Sequence, residues 1–412
     1  MTLNRRELLK IPVAACLSGL ADALPAAEKK LGDAMQEYDK PLFNLHAVSK
    51  DPVTIKSIEL LRIGNGLFVR STSQDGTVGL SMTKSTLEDF IPVLLNRIIP
   101  FFTGKDARDL ETLVDLVYIE NYKMAGQALW VPVASVEQSL WDLLGKTAGK
   151  SIAQLMGGVL RTEIPVYLSG SGRETTAEEE VDVYARGVEH TNAKAVKFKI
   201  GGRMSRNADV YPGRTETMLK LARKRLGPGI VINVDANGSY NAAKAIEVGK
   251  FLHDLNVFFY EEPCPWQEYS ETRKTAEALA IKIACGEQDS NLWQFQWMME
   301  NGVIDIVQPD LNYNGGFIRA ARVARLARKH KMPITPHNTQ TGPTAVNILQ
   351  FASAIPNIGD HMEYPWREPA KPASWYSPNF EIKDGVLKIP KGPGLGIEFD
   401  PDYISKAMAV AS

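Results

Sequence analysis

Asp235, Glu261 and Glu287 are equally spaced along the chain, and each closes a short apolar run: Ile-Val-Ile-Asn-Val-Asp, Val-Phe-Phe-Tyr-Glu and Ile-Lys-Ile-Ala-Cys-Gly-Glu. Such runs read as buried parallel strands with a carboxylate at the C-terminal tip. A strand, a helix and two loops take about 25 to 35 residues in an α/β barrel, so the interval suits consecutive βα units. Three neighbouring tips on one face bring three carboxylates to one point. Their mutual repulsion calls for a hard divalent cation, and the expectation is an Mg2+ site built from these acids.

Two further sets of residues fit that site. Lys197 and Lys199 lie two apart in an apolar run, so on a strand both face the same way, into the barrel mouth. Their pairing, and a nearby metal cation, are expected to lower their pKa values, as a lysine general base requires. Asp310 and His337 fall at the ends of the next runs but one and two after Glu261, one βα unit apart. A carboxylate that orients an imidazole and raises its pKa makes His337 an acid or base near neutrality. Glu363 ends a later run, either as a structural helix-capping partner or as a protonated acid that donates a hydrogen bond to an oxyanion.

Positioning these groups takes a cycle of strands and helices. Candidate strands are 165–169, 195–200, 230–235, 257–261, 281–286, 304–308, 333–337 and 359–363, and intervening segments such as 242–255 and 317–330 carry helical periodicity. Eight strands joined by about seven helices give a parallel barrel. Before it, strand-like alternation at 53–62, 66–73 and 79–82 precedes helical spacing at 87–99, 107–122 and 133–148, the order expected of a separate α+β module. The expected division is therefore 28–150 for that module, opening on an extended arm at 28–52, and 151–375 for the barrel. The Gly- and Pro-rich tail, 376–412, is expected to return to the first module.

Apolar content of 44% and charged content of 23% describe an ordinary globular chain of 412 residues, long enough for two domains. A net charge of −1 argues against nucleic acid as a partner. The basic series Arg319, Arg322, Arg325, Arg328, Lys329 and Lys331 recurs at helical spacing and reads as a solvated helix face. At the start, Arg5-Arg6 precede the small, apolar run 11–20 and an Ala21-Asp22-Ala23 cleavage pattern. Residues 1–27 thus resemble a twin-arginine export signal, implying the periplasm, with an amphipathic helix in a cytoplasmic protein as the rival reading. Beyond it no run is long enough to span a membrane. Cys264 and Cys285 read as free core thiols.

The set Lys197-x-Lys199, Asp235-x-Asn237, Glu261-Glu262-Pro263, Gly286-Glu287, Asp310 and His337 resembles the enolase superfamily, mandelate racemase subgroup. Supporting matches are 134–146, 154–158, Gly315-Gly316 and 392–396. The resemblance covers about residues 53 to 400. It implies an α/β fold, a (β/α)7β TIM-like barrel closed from above by an N-terminal α+β capping domain. It also implies Mg2+ on Asp235, Glu261 and Glu287, with Lys199 as base on one substrate face and His337 with Asp310 as acid or base on the other. Lys197 and Glu363 would then neutralise the enolate, Asn237 and Glu262 would support the ligands, and symmetric homo-oligomers are common among such relatives.

The substrate implied is a small-molecule carboxylate. Dehydration of a sugar acid to a 2-keto-3-deoxy acid is favoured by its frequency in this subgroup and by a polar rim at Ser169, Ser171, Arg173, Asn312, Tyr313 and Asn314. Racemisation or epimerisation of a 2-hydroxy acid is the alternative, and a non-catalytic exported carboxylate-binding protein is the alternative of another class. Cycloisomerase and dipeptide epimerase readings stand lower, because no lysine lies between Lys282 and Lys329, where the sixth strand ends. Specificity is expected from capping loops at 40–52 and 73–84.

Overall fold

A computed structural model describes residues 40–411. The twin-arginine stretch and the first part of the 28–52 arm lie outside the described residues. From Phe43 the remainder of the arm is irregular save for one 3-10 turn, Leu45–Val48.

The capping module begins with an antiparallel meander of β1 (Ile55–Ile63), β2 (Gly66–Ser73) and β3 (Val78–Met82). The helical segment expected at 87–99 forms as a 3-10 stretch, Ser85–Phe90, running into a continuous helical run from Ile91 to Phe102 whose middle, Leu94–Ile98, is π-helical. Pro92 sits in the first turn, where no donor is needed, and Pro100 lacks the N–H an α-helical ladder would use. Two long helices follow, α1 (Leu110–Asn121) and α2 (Gln127–Ala148). Helix α2 starts before Pro132, not after it. Its run from Leu129 to Gly145 is buried throughout, and that packing offsets the one hydrogen bond the proline forfeits. One face meets the meander, where Ser139 bonds Ser71 and Asp142 accepts from the Leu80 amide at 2.9 Å.

The barrel strands are β4 (Glu163–Ser169), β5 (Ala195–Lys199), β6 (Val231–Asp235), β7 (Val257–Glu261), β8 (Lys282–Cys285) and β9 (Ile306–Val307), all parallel and in sequence order. Their crossover helices are α3 (Ala177–Thr191), α4 (Arg214–Leu226), α5 (Ala242–Asp254), α6 (Tyr269–Ala278), α7 (Leu292–Glu300) and α8 (Phe317–Lys329). The seventh strand position, expected over 333–337, shrinks to Ile334, which bridges Val307 on one side and Ile358 on the other. Pro333 and Pro336 flank the remaining ladder positions and cannot donate to them. After α9 (Val346–Ala354), strand β10 (Met362–Pro365) pairs in parallel with β4 and closes the ring. The molecule is thus a (β/α)7β barrel with an N-terminal cap.

Period-two alternation stacks the barrel interior in layers. Tyr167, Ala195, Phe259, Ala284 and Ile306 form an apolar floor with Val231. Two residues above Ala195 comes Lys197, and two above that Lys199; above Val231 come Asn233 and Asp235. Register sets Lys199 beside Asp235, and Asp235 beside Glu261. The same alternation that builds the floor therefore delivers the polar groups to one rim.

The tail runs back along the barrel to the meander. Of its strands, β11 (Tyr376–Ser377) pairs β13 (Glu398–Phe399), β12 (Val386–Lys388) lies antiparallel to β4, and β14 (Met408–Ala409) adds to the edge of the meander at β1. Asp142 of α2 accepts from the Leu395 amide at 2.8 Å, and Trp375, Phe399 and Tyr403 pack against Leu61, Phe68 and Leu80. Cys264 and Cys285 are free and buried.

Candidate active site

Both lysines of β5 point into the barrel. Lys197 is fully buried and donates to Glu261 Oε2 at 2.7 Å and to Glu363 Oε1 at 2.8 Å. Burial alone would lower its pKa, but Glu261 and Glu363 hold it well above the usual lysine value, so the expected lowering does not occur at Lys197. It is a fixed cation. Lys199 lies one layer nearer the mouth, where its ammonium donates to Asp235 Oδ2 and, at 3.2 Å, to Asn237 Oδ1.

Asp235, Glu261 and Glu287, from three successive strand ends, converge so that one ligand oxygen from each lies within 4.8 Å of the others. Against the effect of burial, Lys199, Lys197 and Arg173 keep Asp235 far below the carboxylate range. Burial, reinforced by the Asp235 charge, pushes Glu261 up to about 8. Glu262 is driven well above the usual range by burial and by Glu287. The Oε1 atoms of Glu261 and Glu262 are buried without a donor. Convergent hard oxygens, one of them unpaired and raised in pKa by a neighbouring carboxylate, are the donor set that suits Mg2+. Asn237 and Glu262 both hold left-handed backbone, with φ of 42° and 40°, close behind Asp235 and Glu261. Asn237 accepts from Lys199 and Arg173, and its amide N–H donates to Asp235 Oδ1 at 2.7 Å.

On the far side stands His337. Its Nδ1 lies 2.9 Å from Asp310 Oδ2 and its Nε2 lies 3.2 Å from Glu287 Oε2. Burial would lower the imidazole, but Glu287 and the Asp310 hydrogen bond carry it up to about 9. Asp310 Oδ1 accepts from the amides of Asn312 (2.7 Å) and Tyr313 (3.1 Å), and the Tyr313 ring stacks on His337. Lys199 thus touches the first acid of the trio and His337 the third. Glu363 donates nothing: Lys197, His337 and Lys199 hold it down to about 2 against burial, and its Oε2 accepts from the Asn338 amide at 3.0 Å. In this state it is a carboxylate, not the protonated acid envisaged from the sequence.

A cavity of about 1280 Å3 opens above these groups and exposes Lys199, Asn237, Glu262, Glu287, His337 and Glu363. Ser169, Ser171 and Tyr313 line it, as their rim positions suggest, whereas Arg173, Asn312 and Asn314 do not. Arg173 turns behind the wall to bond the carbonyls of Ile200, Gly201 and Asp235 and the Oδ1 of Asn237. Asn312 Oδ1 accepts from Gln138 of α2 at 3.2 Å. Of the described capping residues Met82 alone lines the cavity, and the end of β10 with the segment from Trp366 to Ile382 after it supplies much of the wall expected from the capping loops.

Two contributors went unread in the sequence. Gln308 Nε2 donates to Glu261 Oε2 at 3.0 Å. Lys84, just past β3, donates to Asp310 Oδ2 at 2.8 Å. Gln308 sits two residues before Asp310 on the same strand end and was open to a period-two argument; Lys84 carried no local signal.

Residues 178–403 match the family profile described as enolase C-terminal domain-like, and residues 47–157 match that of the mandelate racemase / muconate lactonizing enzyme N-terminal domain. An arabinonate dehydratase from Saccharolobus solfataricus is 28% identical over 335 residues, which cover 79% of this chain and 85% of the relative. A D-galactarolactone cycloisomerase from Agrobacterium fabrum is also 28% identical, covering 74% and 81%. The crystal structure of a mandelate racemase/muconate lactonizing protein from Paracoccus denitrificans complexed with magnesium superposes with a TM-score of 0.77 at 30% identity, covering 87% of this chain and 99% of that one.

Proposed function

The chain belongs to the mandelate racemase / muconate lactonizing enzyme family of the enolase superfamily, and from that premise we propose that it dehydrates a sugar acid to a 2-keto-3-deoxy acid with Mg2+. The observation that carries this reading is the placement of Lys199 and His337 at opposite ends of the acid trio. Held by Asp235, Glu261 and Glu287, the ion would supply a Lewis acid for the substrate carboxylate.

Lys199 takes the proton from the carbon next to that carboxylate, and the C–H electron pair moves toward the carboxylate oxygens. Lys197, fixed as a cation by burial between two carboxylates, faces the charge that develops there. His337, protonated and oriented by Asp310, hands its proton to the hydroxyl on the neighbouring carbon. That C–O bond breaks, water leaves, and the resulting enol becomes the keto acid. Glu363 contributes by holding Lys197 and the Asn338 loop.

Groups on two faces also suit racemisation of a 2-hydroxy acid, and the cycloisomerase among the relatives weakens the lysine-based argument against cycloisomerisation. Incubation of pentonic and hexonic acids with the Mg2+-loaded protein in D2O separates these readings. Keto-acid formation supports dehydration; α-deuteration or inversion without keto acid replaces it with racemisation; neither, across the panel, supports the binding-protein alternative. Arg5 and Arg6 support export of the folded enzyme, testable by following the mature N-terminus in periplasmic fractions.

A further inference from the structure

Lys84 belongs to the cap, not the barrel, yet its ammonium ends inside the catalytic dyad. The side chain is 7% exposed and its partner Asp310 is 1% exposed, so the pair lies out of water. Asp310 Oδ2 receives both Lys84 Nζ, at 2.8 Å, and His337 Nδ1, at 2.9 Å. The same ammonium sits 3.8 Å from the centroid of the Tyr313 ring, and that ring stacks on His337 with centroids 6.3 Å apart. His337 therefore has two supports, a carboxylate at Nδ1 and an aromatic face, and one capping residue touches both.

From this geometry we propose that Lys84 is a positioning residue for His337, through which the cap completes the acid side of the active site. With Asn312 and Tyr313 amides on Oδ1 and two cationic donors on Oδ2, the Asp310 carboxylate has no rotational freedom left. Removing Lys84 leaves one lone-pair direction of Oδ2 empty and unpins the Tyr313 ring. The imidazole then samples orientations in which Nε2 is no longer aimed at the substrate, a loss that falls on turnover more than on binding. Lys199, held by Asp235 and Asn237 within the barrel, shares none of these contacts.

The inference rests on the proposed dehydration only for its kinetic arm. The first measurement needs no substrate: the imidazole Nδ1–H resonance of histidine-labelled, Mg2+-loaded, full-length protein, assigned to His337 by its disappearance in H337N. In K84M, which keeps the length and removes the charge, that resonance is expected to shift or broaden, and in K84R to return toward its wild-type position. An unmoved resonance in a folded K84M overturns the proposal, as does a K84R spectrum indistinguishable from a displaced K84M one. The second measurement uses arabinonate, or whichever acid of the panel the wild type consumes. The expected result is a kcat lowered about tenfold or more in K84M with KM nearly constant, and substantial recovery in K84R. An unchanged kcat, or a loss confined to KM, overturns it. If the wild type consumes no acid, the dehydratase reading fails while the resonance still decides the role of Lys84.

Discussion

The two flanks of the acid trio are built differently. The lysine flank rests on β5, a five-residue strand paired along its full length with β6, from Ala195↔Val231 to Lys199↔Asp235. Main-chain hydrogen bonds fix where Lys197 and Lys199 start, and short salt bridges fix where they end. The imidazole flank has almost no ladder: β9 is two residues long and the seventh strand is the single bridged residue Ile334. His337 is instead placed by side chains, Asp310 and Tyr313, which one capping residue, Lys84, braces. Lys199 is set by sheet geometry, and His337 by side-chain packing in which the cap takes part. Perturbations remote from the site should therefore reach His337 before they reach Lys199.

The largest expected effect lies on the sheet-built flank. Lys199→Ala should lower kcat by about 10³-fold or more while the fold stays intact, because a positioned base contributes on that order. In D2O the variant should also lose α-proton exchange on the lysine face. Activity within tenfold of wild type would remove Lys199 from the mechanism. Next comes the ion. Treatment with EDTA should abolish turnover reversibly and lower Tm, since a ligand at about 100 times its Kd stabilises the native state by about 2.7 kcal/mol. A Tm indifferent to EDTA and to added Mg2+ would mean that the trio holds no ion.

On the packed flank, Asp310→Asn keeps an acceptor for the Asn312 and Tyr313 amides but loses the charge that pairs Lys84 and His337. A drop in kcat of about 10²-fold is expected, with exchange on the lysine face largely retained, because a carboxylate that fixes a histidine tautomer is worth at least that much in comparable dyads. Equal loss of turnover and of α-proton exchange would erase the distinction between the flanks.

What could be read from the sequence follows the same division. The acid trio and the two lysines were legible because a strand alternates strictly, and a polar residue at the end of an apolar run has one direction to face. Asp310 and His337 were legible as strand ends, although the strand before His337 scarcely forms, since Pro333 and Pro336 deny it donors. Arg173 and Asn312 read as rim residues from polarity and position alone. Nothing local revealed that strand-end carbonyls and Asn237 claim the first and that Gln138 claims the second. Lys84 lies 226 residues from its partner, and no periodicity carries information over that distance.

The smallest effect, and the most remote, concerns Glu137 of α2. Its carboxyl accepts from the Phe317 and Ile318 amides at 2.8 and 2.9 Å and from the Trp141 indole at 3.0 Å, so a capping residue closes the N-terminus of α8, directly after the Asp310 loop. Gly316 makes this possible: its φ is 102°, and a Cβ there would stand 2.0 Å from Glu137 Oε2. Burial pushes Glu137 up to about 7, against the pull of those three donors. The native carboxyl keeps a proton that the unfolded chain has already released. Its contribution to stability is therefore complete below the ordinary carboxylate pKa and drains away as pH rises toward about 7. Wild-type Tm should fall between about pH 5 and pH 7 by an increment missing from Glu137→Gln, which has no proton to lose there. Parallel Tm profiles for the two proteins would show that Glu137 does not titrate in this range. A second readout follows from the two flanks: Glu137→Gln should slow the dehydration that His337 completes while leaving α-proton exchange by Lys199 near wild type. Equal weakening of turnover and exchange would mean that α8 transmits cap disturbances to the whole barrel rather than to the side-chain-built half.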